Sequence, residues 1–335
     1  MTDILSRLLA ERGWLLCDGA MGTSLFQRGL ATGEAPDLWN ITQPDKVRDV
    51  HQGFVDAGSD IILTNSFGAN ALRLKLHGDQ HRVRELNVAA AKLARSVADA
   101  AGRPVIVAGD IGPSGELMQP MGTLTPEIAE QVFAEQAEAL KEGGADVLWI
   151  ETMSSKEEYA AAVTAAARCG LPVVATMSFD TNGRTMMGVT PEQAALFAST
   201  LQPGLTAYGC NCGVGPATLI DTVLGMKKAA KPDDIITAKG NCGIPVYVDG
   251  AIAYTGSPDI MADYARMARD AGARIIGGCC GTTDVHIKAM HDALVDYTPG
   301  SAPDRARIEA VLGPVDQALP RPDGAPERPR RRRRN

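Results

Sequence analysis

Two adjacent cysteines, Cys279 and Cys280, sit among glycines in the stretch IIGGCCGTT, residues 275–283. A disulfide between neighbours strains the peptide that joins them, so the pair is either two small buried hydrophobes or two thiolates awaiting a ligand. Two further thiols, Cys210 and Cys212, end the run LTAYGCNCG, and Cys242 lies in GNCGIP. One distant cysteine joined to an adjacent pair suits an open zinc site. Sulfur binds zinc at roughly 2.3 Å, and catalytic sites combine three protein ligands with one exchangeable position. Neighbouring side chains on a strand point apart, but Gly277, Gly278 and Gly281 relax that limit, because glycine permits backbone angles that turn both thiols to one point. The paired CxxC elements of a structural zinc finger are missing. Cys210 and Cys212 are two apart and share one side of an extended strand, so spacing does not choose between them.

Carboxylates form the second candidate set. Glu151 follows the apolar run VLWI, where a lone buried acid is costly unless paired. Asp18 precedes glycine in CDGAMG and reads either as a turn former or as a site residue. Asp110 in GDIGP reads as a turn aspartate or a group that supports the site from behind, and Lys239 reads as a solvated strand end or a partner for an anionic donor. The five histidines, His51, His77, His81, His286 and His291, lie away from these motifs and read as surface or packing residues.

The elements that must position these groups follow a rhythm. Eight strand-like runs start near Trp14, Asp60, Pro104, Asp146, Pro172, Leu205, Ile235 and Arg274. Near-continuous apolar runs such as IIL, VIVA and VVA suit parallel strands buried on both faces. Helical stretches alternate with them. PEIAEQVFAEQAEALKEGG has a proline start and a Gly-Gly stop, and SPDIMADYARMARDAG opens with a capping serine. Eight strands alternating with helices predict a single (β/α)8 TIM barrel over residues 1–300, with a doubly wound open sheet as the alternative. In a barrel, chemistry sits at the C-terminal strand ends. Those ends carry Asp18, Thr64, Asn65, Asp110, Glu151, Asp180, Cys210, Asn211, Cys212, Asn241, Cys242, Cys279 and Cys280.

Bulk properties agree with this class. The 335 residues are 45% hydrophobic with a net charge of −7, so no global basic field attracts nucleic acid or membrane. The start, MTDILSRLLAERGW, reads as a short amphipathic helix and not a signal peptide. No window reaches the roughly 18 apolar residues of a spanning helix, and the expected location is the cytoplasm. Seven cysteines, an odd number, then point to metal binding or catalysis at some of them. Residues 301–335, Pro-rich and ending in five arginines at 330–334, are expected to form a disordered basic tail.

Together these motifs carry a resemblance. NCGVGP at 211–216, NCGIP at 241–245 and GGCCGT at 277–282 resemble the C-terminal signatures of the homocysteine S-methyltransferase family. DGAMGT at 18–23, AGSDIILTNSFGA at 57–69 and IETM at 150–153 resemble its N-terminal half. The resemblance implies a barrel with one Zn2+ per chain held by Cys212, Cys279 and Cys280, with Asn241 in the fourth position when substrate is absent. It implies that Asp18 and Glu151 hold the α-ammonium of homocysteine, while backbone N–H groups of Gly19 and Ala20 receive the carboxylate. Methyl transfer to the metal-held thiolate would then give methionine.

The methyl donor divides the family. A quaternary ammonium donor such as glycine betaine needs an aromatic cage. Trp39 falls where betaine–homocysteine methyltransferases carry a tryptophan, yet Gly68 and Thr152 stand where those enzymes carry tyrosine. Only 4% of residues are aromatic, with Phe67, Tyr208 and Tyr247 as replacements. The expected donor is betaine or a similar small methyl-onium compound such as S-methylmethionine or dimethylsulfoniopropionate. The alternative is a stand-alone subunit of a split methionine synthase, receiving the methyl from a methylcobalamin-binding partner protein. A reading of another class, a zinc-storage or thiol-redox sensor protein, uses the cysteines without needing Asp18 or Glu151.

Overall fold

The computed structural model describes residues 3–248 and 251–315, with backbone alone for 245–248 and 251–253. Eight parallel strands form the sheet: β1 (Leu15–Leu16), β2 (Ile61–Leu63), β3 (Ile106–Ile111), β4 (Val147–Met153), β5 (Val173–Met177), β6 (Ala207–Cys212), β7 (Ile236–Gly240) and, after a β8–β9 hairpin (Pro245–Val248 and Ala251–Tyr254), β10 (Ala273–Gly278). Their order is β1-β10-β7-β6-β5-β4-β3-β2. The ring closes between β1 and β2: Cys17 bridges Ile61 in parallel, Asp60 N–H donates to Leu16 O at 2.7 Å and Asp18 N–H to Ile61 O at 2.9 Å. The molecule is therefore a (β/α)8 barrel and not an open sheet.

Each strand is followed by a helix, and local chemistry sets where those helices start. The Thr125 side chain accepts from Ile128 N–H, Pro126 opens Pro126–Gly143, and Gly144 ends it at φ 104°. Ser155 caps Lys156–Ala167 and Ser257 caps Pro258–Asp270 in the same way, while Thr190 and Gln193 form a capping box on Pro191–Ala198. Among the described residues no helix is long and apolar enough to cross a membrane.

The core has two layers. Between strands and helices lies the larger one, which includes Leu16, Ile62, Val107, Leu148, Ile150, Ala175, Cys210 and Ile276. Inside the barrel the alternate positions pack together: Leu15, Cys17, Ile61, Ile106, Val147, Trp149, Val174, Ala207 and Ile275. Helix Ile4–Arg12, capped by Asp3, pushes Leu5, Leu8 and Leu9 into that interior and stoppers its N-terminal end. Each such leucine contributes about 2 kcal/mol on burial.

The boundary expected at residue 300 moves. Residues 305–312 form a helix capped by Asp304, with Ile308 fully buried against the barrel helices. Arg307 pairs with Asp270 at 2.9 Å, and the Thr218 hydroxyl donates to Val315 O at 2.6 Å. One apolar side chain at the right helical position outweighs a polar, Pro-rich surrounding. The rest of the expected tail, from 316 onward and including the five arginines, lies outside the described residues.

Candidate metal and substrate site

On β6, Ala207 belongs to the barrel interior and Cys210 to the outer layer, so alternation sends Asn211 inward and would send Cys212 outward. Cys212 escapes that rule because its backbone adopts φ 61°, the left-handed region that costs a non-glycine residue energy. The turn carries its thiol off the outer face. Cys279 and Cys280 follow β10, anchored by Cys279 N–H to Gly240 O at 2.7 Å and Cys242 N–H to Cys280 O at 2.9 Å. Gly281 takes φ 78°, and a Cβ there would lie 2.3 Å from the Tyr254 ring.

The result is a cluster. The sulfurs of Cys212, Cys279 and Cys280 all lie within 4.8 Å of one another, and among the described residues they are the one group of three or more His, Cys, Asp or Glu so placed. Cys212 Sγ and Cys280 Sγ are 3.9 Å apart. A tetrahedral ion at roughly 2.3 Å from each sulfur needs sulfurs about 3.8 Å apart, so the donor set fits zinc in both chemistry and span. Hydrogen bonds from Cys212 and Cys279, with a further one from Tyr254, draw the Cys280 thiol down to about 3. Bonds to Cys279 and Cys280 push Cys212 well up. A bound cation would draw off the protons that remain on the trio, since the thiolate is the form that ligates. Cys210, fully buried in the outer core, has its Sγ 4.0 Å from Thr237 O, and Cys242 Sγ faces Gly256 O at 3.3 Å.

Beside the thiols a polar layer crosses the barrel. Asp18, 1% exposed, accepts from Leu63 N–H at 2.7 Å through Oδ2, and its Oδ1 lies 3.4 Å from Lys239 Nζ. Glu151 Oε2 lies 3.5 Å from the same ammonium. Burial pushes the Asp18 carboxyl up to about 6, opposed by Lys239, and raises Glu151 and Asp110 as well. Burial works against the Lys239 charge, yet Glu151 and Asp18 hold it above the ordinary lysine range. Its Nζ also stands 5.5 Å from the Trp149 ring centre. Three buried acceptors in this region have no hydrogen-bond partner, Asp110 Oδ1, Glu151 Oε2 and Asn241 Oδ1, although Glu151 Oε2 keeps its ion-pair contact with Lys239. Orphaned acceptors of this kind mark where a ligand's donors or a cation belong.

Asn211 ties the two halves. Its Oδ1 accepts from Thr152 N–H at 2.9 Å and Thr176 Oγ1 at 2.7 Å, and its Nδ2 donates to Thr152 Oγ1 at 2.7 Å. Thr152 itself sits at φ 65°, unfavourable for a β-branched residue. The end of β4, which presents Glu151, is thereby pinned to the end of β6, which presents Cys212.

Not every expected site residue joins this arrangement. Ala20 N–H donates to Thr282 O at 2.9 Å and is not free for a substrate carboxylate. Gly19 N–H has no partner among the described residues. Trp39 is 7% exposed and packs in the outer core, where Lys46 Nζ stands 4.6 Å from its ring centre. Its aromatic face is already occupied by the protein's own cation. Gly68 backs onto Asp37, whose Oδ1 accepts its N–H at 3.1 Å. The side chain of Tyr247 lies outside the described residues, and Tyr208 bonds to Asp234 at 2.7 Å. Asn241 donates to Gly213 O at 2.8 Å.

The roles of three contributors escaped the sequence reading. Lys239 looked like a solvated strand end, although alternation against the outer-layer residues Ile236 and Ala238 aims it inward. Asn211 was placed on the rim from the sequence, and only its role as a tie between strand ends escaped. Tyr254 belongs to a hairpin that no periodicity announced.

Known proteins place these features in context. The sequence model described as homocysteine S-methyltransferase matches residues 15–294. Methionine synthase from Mycobacterium leprae (strain TN) is 29% identical over 318 residues, covering 90% of this chain and 26% of that protein. Methionine synthase from Mycobacterium tuberculosis (strain ATCC 25618 / H37Rv) is 30% identical over 311 residues, covering 88% and 26%. The chain thus spans about a quarter of the length of the curated relatives it matches. Among solved structures, the metallated form of the homocysteine methyltransferase MmuM from Escherichia coli aligns with TM-score 0.70 at 25% identity, covering 86% of this chain and 99% of that one. Its oxidized form aligns with TM-score 0.72, again at 25% identity, covering 87% and 99%.

Proposed function

The chain belongs to the homocysteine S-methyltransferase family, and on that premise we propose that it methylates homocysteine to methionine at a zinc ion held by Cys212, Cys279 and Cys280. The observation that carries this reading is the set of three sulfurs within 4.8 Å at strand ends, beside buried carboxylates. Zinc bound there would ionise an incoming thiol, whose ordinary pKa near 8.5 leaves little thiolate at neutral pH, and present it as the nucleophile.

The chain's own residues orient the guest. Glu151 Oε2, buried and lacking a hydrogen bond beside Lys239, accepts from the α-ammonium, and Asp18 Oδ1 faces the same space. Gly19 N–H receives the carboxylate. Asn241 Oδ1, which lacks a hydrogen bond, would be a further donor to the metal in the absence of substrate. The strained Cys212 and Thr152 backbones keep the metal and ammonium ends of the site in register through Asn211.

For the donor, two observations favour a methylcobalamin-carrying protein or domain over glycine betaine. Trp39, the anchor expected for a betaine cage, spends its ring on Lys46. The strand-to-helix loops on the C-terminal rim instead expose Phe67, Leu117, Met121, Met186 and Met187, apolar surface suited to a protein that carries the methyl group as methylcobalamin. The matched relatives being methionine synthases four times as long supports the same reading. Purified chain loaded with zinc should form methionine from homocysteine only when a methylcobalamin-loaded partner is added. Turnover with betaine alone would overturn the donor assignment and leave the thiol chemistry standing.

A further inference from the structure

Lys239 is a fully charged residue, 3% exposed, in the middle of the space that an amino-acid substrate would enter. Nothing in the proposed thiol chemistry requires it. Its position is built in: in the barrel wall it registers with Asn211 on β6 and Gly277 on β10. A Cβ on Gly277 would lie 3.2 Å from Lys239 Cγ and 2.5 Å from Cys17 Cβ, so that glycine makes room for the lysine stem. From there the Nζ reaches between Asp18 and Glu151, the two groups assigned to the substrate's ammonium.

The charges decide what such a site can demand. Asp18 and Glu151 alone would present −2, and an arriving ammonium would meet an intense, unbalanced field. Lys239 offsets one of those charges before any ligand binds, while Asp110, buried in the same layer, adds a third carboxyl. At 3.4 and 3.5 Å the Lys239 contacts are longer than an ordinary N–H···O bond on both sides. Lys239 therefore neutralises through long contacts to Asp18 Oδ1 and Glu151 Oε2 that leave the carboxylates further lone-pair directions for a ligand.

Resting on the proposed thiol-methylating function, we propose that Lys239 is a specificity-determining residue: a resident cation that relaxes the need for a substrate ammonium, so that the site accepts mercapto-carboxylates lacking the α-amino group alongside homocysteine. A thiol without that amino group still finds Asp18 and Glu151 partly compensated. Without Lys239 it would leave two buried acids with no counter-charge.

The test is calorimetric binding of homocysteine and of 4-mercaptobutyrate, its desamino counterpart, to the zinc-loaded chain, independent of turnover. Charge-assisted hydrogen bonds set the scale: wild type should favour homocysteine by about tenfold or less, Lys239→Met by about a hundredfold or more, and Lys239→Arg by the wild-type ratio. A purely structural lysine would change both affinities together and leave their ratio alone. A wild-type ratio near a hundred, or no widening in Lys239→Met, overturns the inference. Should Lys239→Met fail to fold, the wild-type ratio decides by itself. If neither thiol binds the zinc-loaded wild type, the proposed function falls, an outcome distinct from a wide ratio.

Discussion

At the N-terminal end of the barrel, Leu15, Ile61, Ile106, Val147, Val174, Ala207 and Ile275 meet Leu5, Leu8 and Leu9 of the first helix, and all are apolar and buried. Further along the same strands the interior carries Asp18, Asp110, Glu151, Lys239 and Asn211, and just beyond them the three thiols. Both ends are packed and largely dry. They differ in what their burial achieves. The lower end exchanges water for close apolar contact, which stabilises the fold directly. The upper end buries charge, leaves acceptors without donors and strains Cys212 and Thr152, all of which cost stability and make sense only if something else binds there.

The sharpest way to break this contrast is to damage one end and ask whether the other notices. Cys279→Ser should remove stoichiometric zinc and lower methionine formation by about a thousandfold or more, because the thiolate-generating centre goes with the metal. Metal content per chain and turnover check it; retained zinc with full turnover would erase the distinction. Leu9→Ala at the lower end should cost about 2–5 kcal/mol in urea unfolding while leaving zinc content unchanged. Glu151→Ala should cut kcat/KM for homocysteine by about a hundredfold, the loss expected for a charge-assisted contact, with zinc near one per chain. Unchanged turnover in that variant would favour a zinc-storage or thiol-sensing protein over an enzyme.

The smallest effect concerns pH and assigns acid sensitivity to neither end. Burial raises Asp18, Glu151 and Asp110, so these carboxyls bind protons more readily folded than unfolded and favour the fold at low pH. His51, fully buried in the helix shell with both ring nitrogens unpartnered, is pushed down to about 4 by burial. Its neutral ring is compatible with the fold above the ordinary pKa near 6.5, and that stability is lost as pH falls toward 4. By pH 5 the loss reaches about 2 kcal/mol. His51→Leu should flatten the dependence of Tm on pH between 6.5 and 4; an unchanged slope would move the acid limit elsewhere.

How much of this was legible beforehand varied by residue. The strands were readable because a barrel strand, covered on both faces, must be apolar almost throughout, as in IIL at 61–63 and VLWI at 147–150. The starts at Pro126 and Ser257 were readable because a first-turn proline has no N–H to leave unpaired and a capping serine satisfies an orphan N–H within a few residues of itself. Helix 305–312 was not, since its stability comes from Ile308 meeting a surface built by distant segments. Nor could spacing separate Cys210 from Cys212, which share strand parity until a left-handed backbone parts them.

By itself, then, the order of residues determined the periodic framework and the kinds of groups its rim would carry, since periodicity, capping and residue chemistry act over a few positions. Tertiary structure alone decided which of those groups meet. Ala20 lost its free N–H to Thr282, Trp39 gave its ring to Lys46, and Lys239 came to stand between Asp18 and Glu151. Each of those outcomes depends on chain segments brought together by closure of the barrel or packing of its loops, and through-space contact obeys distance, not sequence separation.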